Sequence, residues 1–321
     1  MPNPTMSDVH VDQPLTNISI AFLQDVKKFV ANRVFPTVSV AKQSDKYFVY
    51  DRGDFYRSEA EFRAPSTEAA GGGWGLTTAS YSADVLALRK DIDDAIRANA
   101  DAPLDMDADA VRYLMQQMLI RRDKDWAAAF FTTSVWTGST TAGDITPGTL
   151  WSVSTSTPIQ DVEAQMDSVE GKTGYRPNKL IVGVDVHSKL KNHPDVIDRY
   201  KHTQVGIIDE QLLAAVFGVD EYIVARGVEN TAAEGATDVF ARIFAAKDAA
   251  VVYSAPNPSL MQPSAGYIFA WTGYTGAGPD GQRISRYRMD HLRSDRVEAE
   301  LAYDMKLVSA QLGAFFDNAV A

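Results

Sequence analysis

Two glycine-containing motifs could carry nucleotide chemistry, and each lacks part of what that chemistry requires. Residues 276–281 (GAGPDG) have the glycine spacing of a dinucleotide-binding loop, which must open a helix that holds a pyrophosphate, but the sequence from Gln282 onward alternates like a strand. Residues 171–173 (GKT) match the end of a phosphate-binding P-loop, but Met166 stands where its first glycine belongs and a helix precedes it. We therefore predict a hairpin turn and a helix end that Gly171 caps.

An acidic run is the nearest approach to a metal-binding motif. Asp105, Asp107 and Asp109 resemble the start of a calcium-binding loop, but Ala110 replaces the required glycine and Gln116 replaces the bidentate glutamate. Carboxylates are also favoured in the first turn of a helix, where they face the positive end of its dipole. We interpret this run as a helix start, and we predict no metal site.

The histidines supply one conceivable acid–base pair. Asp185 and His187 could serve an α/β hydrolase, but no GxSxG serine accompanies them, and no histidine pair has the i, i+4 spacing of a helical zinc site. We predict no catalytic residues, no cofactor and no enzymatic function, and keep a hydrolase that uses Asp185 and His187 as an alternative. The five histidines are His10, His187, His193, His202 and His291.

Composition excludes several further classes of protein. The 321 residues carry a formal net charge of −11, which disfavours general binding to duplex DNA. The absence of cysteine excludes disulfide scaffolds, thiol nucleophiles and thiolate metal sites. No apolar run approaches the roughly 20 residues that span a bilayer, and we expect no signal peptide at the N-terminus.

The hydrophobic pattern predicts the elements of an α+β chain. We expect an extended arm over 1–17, a helix over 18–34, a long polar and aromatic ribbon over 45–90, and a long spine helix over 103–135. Helices and strands alternate over 158–255, beginning with a helix that Thr157 and Gln160 would cap. Strict alternation over 297–307 predicts a half-buried antiparallel strand. Arginines that alternate with acids should pair within or between subunits: Arg283, Arg286, Arg288, Arg293 and Arg296.

The order of these parts resembles the major capsid proteins of tailed bacteriophages, whose fold is named after phage HK97. The segments VFP (34–36) and KYFVY (46–50) look like the start of the family's extended E-loop, and RAP (63–65) is similar to a segment inside that loop. LKNHPDV (190–196) looks like the LxxHP run of the A-domain, and AYDM (302–305) resembles the last strand of the P-domain.

The resemblance implies the HK97-like capsid fold and a structural role. It divides the chain into an N-terminal arm (1–44), the E-loop ribbon (45–90), a P-domain with the spine helix (91–157 and 256–321) and an A-domain (158–255). The ribbon would lie on a neighbouring subunit, where its aromatic side chains would be buried and its charges would pair. The expected intersubunit residues are Tyr47, Phe48, Asp51, Arg52, Asp54, Phe55, Tyr56, Arg57, Glu61, Phe62 and Arg63.

The same resemblance implies partners and a location. Copies of the chain would form the hexamers and pentamers of an icosahedral shell around phage double-stranded DNA, without sequence-specific binding. Residues 1–44 are too few for a fused scaffolding segment, so we expect a separate scaffolding protein besides portal and decoration proteins. The shell would be part of the virion and would assemble in the bacterial host cytoplasm, with no membrane. An encapsulin-like compartment, which uses the same fold, is the other shell that fits.

Overall fold

The computed structural model describes residues 24–25, 28–100, 104–141, 143–200, 209–258, 261–274 and 277–321. Helices in these ranges are α1 (Ala31–Val34), α2 (Arg52–Tyr56), α3 (Asp94–Ala98), α4 (Met106–Phe130), α5 (Pro158–Thr173), α6 (Val184–Lys191), α7 (Pro194–Tyr200) and α8 (Glu210–Phe217). Strands are β1 (Thr37–Val40), β2 (Ser44–Tyr50), β3 (Leu76–Ser82), β4 (Asp84–Asp93), β5 (Lys179–Val182), β6 (Glu221–Val224), β7 (Val228–Asn230), β8 (Phe240–Arg242), β9 (Ala249–Val252), β10 (Gly266–Trp271), β11 (Gln282–Met289), β12 (Ser294–Leu307) and β13 (Gly313–Phe316).

The spine helix α4 confirms the prediction of a long helix. The Asp105 side chain accepts hydrogen bonds from the backbone N–H groups of Asp107 and Ala108, so the acidic run is a helix cap. The helix has 25 residues, which corresponds to about 38 Å at 1.5 Å per residue. Leu114 and Met118 are buried on the face that packs against a sheet.

That sheet has five strands, and β12 pairs antiparallel with three of them: β4, β10 and β11. Val297, Ala299 and Leu301 are buried against α4, as the alternation over 297–307 predicts. β1 pairs parallel with β10 at the other side of the sheet.

A second sheet, in the order β13-β9-β5-β6, forms the centre of the region 158–255. Leu180 and Val182 face one apolar cluster with α5 and α8, and Ile181 faces a second cluster that includes Trp126 of the spine helix. Both faces of this sheet are therefore buried. Strand β13 was not predicted, and it places residues 313–316 beside β9 although they lie outside the range 158–255.

Helix α5 ends later than the sequence suggested. Gly171 lies within the helix, and Gly174, with φ of +72°, caps it in the left-handed conformation that glycine adopts readily. The prediction that Gly171 ends the helix is therefore wrong. Pro158 does occupy the first helical position, but the Thr157 side chain makes no capping hydrogen bond, so the expected capping box does not form.

The N-terminal predictions fall partly outside the described residues. The helix expected over 18–34 is not continuous, because the described residues 24–25 and 28–30 are not α-helical. Only α1 agrees with it, and α1 ends before Phe35-Pro36 as predicted. The arm over 1–17 lies outside the description. No helix in the described ranges is long and apolar enough to cross a membrane.

Candidate assembly surface

The two glycine motifs have structural roles. Residues 171–173 form the last turn of α5, whereas a P-loop needs a loop before a helix. Gly281 adopts φ of +70° and leads directly into strand β11, so the described end of the 276–281 motif opens a strand and not a helix. The predicted hairpin is wrong, because β11 pairs with β12 and not with β10. The described residues of neither motif have the backbone arrangement that cradles a phosphate.

Asp185 and His187 do not form an acid–base pair. Asp185 is exposed, and no hydrogen bond joins it to His187 among the residues described. His187 Nδ1 lies 3.2 Å from the Tyr222 hydroxyl, and burial together with the charge of Arg226 lowers the pKa of His187. A cleft of about 450 Å³ lies beside His187, and the described residues of its wall are His187, Lys191, Asp209, Glu210, Gln211 and Arg226. None of these side chains carries a hydroxyl group, so the described part of the wall supplies no serine-type nucleophile.

A buried serine–histidine contact, which the sequence analysis missed, is structural. His193 Nδ1 accepts the backbone N–H of Asp195 at the start of α7, so Nε2 carries the proton and donates to the Val153 carbonyl at 3.0 Å. Ser156 Oγ lies 2.9 Å from Nε2 and itself donates to Val153 O. Because Nε2 is already protonated, His193 has no free acceptor for the serine proton. The HP dipeptide at a helix start was the available signal.

The described residues contain no group of three histidine, aspartate or glutamate side chains that could hold a metal ion. The cluster of charges on β11 and β12 instead forms ion pairs. Arg286 lies 2.8 Å from Asp295, and Arg97 also contacts this carboxylate, so the two guanidinium groups hold the pKa of Asp295 well below its usual range. Arg296 pairs with Asp91 at 2.6 Å. The predicted pairing of this arginine stretch is therefore intramolecular at these positions.

The ribbon is a two-stranded antiparallel unit attached at its base. Strands β2 and β3 pair from Ser44 opposite Ser82 to Tyr50 opposite Leu76. Tyr81 is buried and stacks on Phe269 with ring centroids 4.7 Å apart, and Ser82 N donates to Asp304. After Ser82 the chain leaves the ribbon, because β4 pairs with β12 in the large sheet.

The end of the ribbon contains a short helix. Asp51 accepts the backbone N–H of Gly53 and caps the short helix α2. The Tyr56 hydroxyl donates to the Thr173 carbonyl at 2.5 Å, which connects the ribbon to the end of α5 in the same subunit. From Arg57 to Gly75 the chain has no helix or strand.

Most aromatic side chains of the ribbon are exposed. Phe62 is fully exposed, and Phe48 and Trp74 are each 66% exposed. Phe55 contacts Tyr50 and Trp74, with ring centroids 5.7 and 6.3 Å apart. Trp74 was not among the predicted contact residues, although its glycine-rich surroundings place it in the ribbon. We call the exposed apolar side chains of the ribbon the aromatic patch: Phe48, Phe55, Phe62, Trp74 and Leu76.

Tyr47 differs from the other predicted aromatic contacts. Its ring packs 5.3 Å from that of Phe269 in the same subunit, and burial raises the pKa of its hydroxyl. The structure therefore assigns Tyr47 to the base of the ribbon. Phe48 points to the opposite face and belongs to the exposed surface.

The charged side chains of the ribbon are divided between internal pairs and open positions. Asp54 accepts the backbone N–H of Gly75 at 2.8 Å, and Arg57 lies 3.4 Å from Glu59. Arg63 donates to the Thr67 carbonyl. Arg52 and Glu61 are exposed and make no hydrogen bond or ion pair with any described residue.

Comparisons with known proteins agree on one class. The profile of the family "Phage major capsid protein E" matches residues 138–261. The major capsid protein of Burkholderia phage BcepMu is 23% identical, and the match covers 82% of this chain and 84% of that protein. The major capsid protein of Pseudomonas phage JBD67 is 24% identical, and the match covers 97% of each chain.

Solved structures share the fold. A phage-related protein from Bordetella bronchiseptica gives a TM-score of 0.68 at 20% identity, covering 92% of this chain and 94% of its own. The mature capsid of bacteriophage PhiM1 gives a TM-score of 0.58 at 11% identity, covering 97% of this chain and 92% of its own. An encapsulin from Synechococcus elongatus gives a TM-score of 0.53 at 11% identity, covering 95% of this chain and 92% of its own. The resemblance to tailed-phage major capsid proteins is confirmed, and the chain has the HK97-like fold of these shell proteins.

Proposed function

We propose that this chain is the repeating subunit of the icosahedral head of a tailed phage, assembled through its ribbon. The role of a phage major capsid protein follows from the family profile and the curated relatives. The observation that supports a role for the ribbon is the aromatic patch, because large exposed apolar surfaces mark contact sites with other proteins. Its mechanism is association, and no catalytic step is assigned to any residue.

In this proposal each ribbon lies on a neighbouring copy within hexamers and pentamers. Phe48, Phe55 and Phe62 become buried there, and Arg52 and Glu61 find partners. Tyr47 and Asp51 hold the base and the end of the ribbon in shape. The remaining predicted contacts, Asp54, Tyr56, Arg57 and Arg63, keep local hydrogen bonds that orient the ribbon before it meets the neighbour. Each exposed ion pair contributes only about 0–1 kcal/mol, but repetition around the shell multiplies the effect.

The domain roles follow the same scheme. The P-domain (91–157 and 256–321) contains the spine helix and strands β10, β11 and β12 of the large sheet. The A-domain (158–255) would face the axes of the hexamers and pentamers. The acidic chain, at −11, would enclose DNA without adhering to its phosphates. Assembly in the host cytoplasm, a portal protein and decoration proteins complete the proposal.

A separate scaffolding protein is a further part of the proposal. Without it we expect the chain to form irregular or incomplete particles, because curvature would not be controlled. Expression of the chain alone tests this, and uniform closed shells from that expression would contradict it. Gene neighbourhood separates a phage head from an encapsulin, because terminase and portal genes should flank a capsid gene.

The test of the ribbon is a triple substitution, Arg52→Gln, Arg57→Gln and Arg63→Gln. We expect a folded subunit, since these side chains are exposed, and loss of regular particles in electron micrographs. The matched control replaces Arg112, Arg121 and Arg176 by Gln, which changes net charge equally at exposed arginines on and beside helices. Normal particles from the ribbon variant, or equal loss in the control, would refute the role of the ribbon.

A further inference from the structure

Arg122 in the middle of the spine helix is a buried cation without an acceptor. Its side chain is only 6% exposed, and it makes no hydrogen bond or ion pair with any other residue that the structure describes. Its Nε atom is fully buried and has no hydrogen-bond partner among the described residues. The small exposed fraction of the residue is the part that a second chain can reach.

None of the described residues neutralises this charge by a direct contact. Both oxygens of the adjacent Asp123 accept backbone N–H groups, from Val30 at 2.8 Å and Ala31 at 3.0 Å. Asp280 acts on Arg122 only through space, from an exposed turn. One helical turn further on, the indole N–H of Trp126 is also buried without an acceptor. Arginine stays protonated in proteins, so burial of an unpaired guanidinium lowers the stability of the free subunit.

Carboxylates without partners are present on the ribbon. Glu61 and Glu68 are exposed and make no hydrogen bond or ion pair among the described residues. A carboxylate matches the planar fork of an arginine with two parallel hydrogen bonds, which makes it the favoured partner for a guanidinium group at a protein contact.

We propose that Arg122 is a receptor for a carboxylate on the ribbon of a second copy of this chain, Glu61 or Glu68, and that the pair forms only on assembly. The inference rests on the proposed function and adds a named contact to it. The unpaired charge lowers the stability of the free subunit, and the same charge stabilises the shell once it is paired. The contact also makes assembly specific, because a neighbouring surface without a carboxylate would leave the Arg122 cation buried and unpaired.

The test compares Arg122→Met in two states. In the free subunit, kept below its assembly concentration, we expect the midpoint of urea unfolding to stay equal or rise, because methionine fills a similar volume without a charge. In the shell, we expect the concentration needed for assembly to rise at least tenfold. Arg121→Met on the same helix is the control, because Arg121 is exposed and already paired with Asp125, and it should leave assembly within about twofold of wild type.

A double-mutant cycle identifies the acceptor. In a Glu61→Gln/Glu68→Gln background, Arg122→Met should cause no further loss of assembly, because the pair is already broken. Three results would overturn the proposal: equal losses of stability in the free subunit and of assembly in the shell, failure of the Arg122→Met subunit to fold, or additive losses of assembly in the cycle. Each would mean that the partner of Arg122 is a buried water or Asp280 of the same subunit. Stabilisation of the free wild-type subunit, but not of Arg122→Met, by millimolar inorganic phosphate would also overturn it by identifying a free anion as the ligand. Wild-type shells with normal Arg122→Met assembly would refute this inference alone, whereas no wild-type shells would refute the proposed function.

Discussion

The four-stranded sheet and the ribbon obtain their order from different sources. In the sheet, strand β13 is buried on both faces, with Phe316 against Trp151 on one side and Phe315 against Phe131 on the other. In the ribbon, two strands pair only with each other, and the side chains beyond them are exposed. An isolated two-stranded unit is marginally stable in water.

This difference separates folding from assembly. The sheet needs nothing outside the subunit, because alternate residues of each strand enter two apolar clusters. The ribbon has a fixed base and an apolar surface that no described residue of the subunit covers. Substitutions in the sheet should therefore act on folding, and substitutions in the ribbon on association.

The largest expected effect comes from Phe316→Ala. The side chain is fully buried, and its loss should lower the free energy of unfolding of the subunit by about 3–5 kcal/mol. Phe62→Ala is the matched comparison and should change it by less than about 0.5 kcal/mol while impairing assembly. Urea denaturation of both variants measures this, and equal losses would remove the distinction between the two regions.

A pH-dependent change in the free energy of unfolding, similar in size, is expected from a carboxylate in the interior of the subunit and not from the ribbon. Burial raises the pKa of Asp123 to about 6, although its carboxylate accepts two backbone N–H groups at the start of α1. Between about pH 4 and 6 the folded state binds a proton that the unfolded state does not, so this group stabilises the fold progressively as pH falls.

The measurement is the difference in unfolding free energy between wild type and Asp123→Asn across this range. A shift from 3.8 to about 6 corresponds to about 3 kcal/mol, so wild type should lose that much relative to the variant as pH rises from 4 to 7. Parallel pH curves would show that the carboxylate is not buried as described.

Much of the fold was predictable where local signals suffice. The spine helix has its own acidic cap and apolar face, and the alternation of β12 identifies its buried side, so both agree with the structure. Strand β13 was missed because four residues, GAFF, carry too short a pattern, and its pairing with β9 joins segments about sixty residues apart. Gly171 was chosen as a helix end over Gly174 because sequence does not reveal which glycine adopts positive φ.

The candidate site was predictable in part for a similar reason. A ribbon too polar to form a core implies exposed aromatic residues, and Phe48 and Phe62 are exposed. Which side chains return to their own subunit depends on distant segments, as with Tyr47 on Phe269 and Tyr56 on Thr173. The spacing of Arg122 from Met118 and Trp126 already places it on the buried face of the helix. Its lack of an acceptor was missed, because that depends on which distant segments pack nearby.

The smallest expected effect concerns the one hydrogen bond between the ribbon end and α5. Tyr56→Phe removes the bond to the Thr173 carbonyl and should lower subunit stability by about 0.5 kcal/mol, because the tyrosine is largely exposed. Hydrogen exchange in α2 should become faster while exchange in the four-stranded sheet is unchanged. Unchanged exchange in α2 would mean that Asp51 and Asp54 alone hold the ribbon end.

Electron cryomicroscopy of particles assembled from this chain, with its scaffolding protein where required, tests the central claim most directly. We predict closed icosahedral shells in which Phe48 and Phe62 of each ribbon are buried on a neighbouring subunit. A monodisperse monomer under all assembly conditions, or shells whose ribbons remain exposed to solvent, would contradict the account.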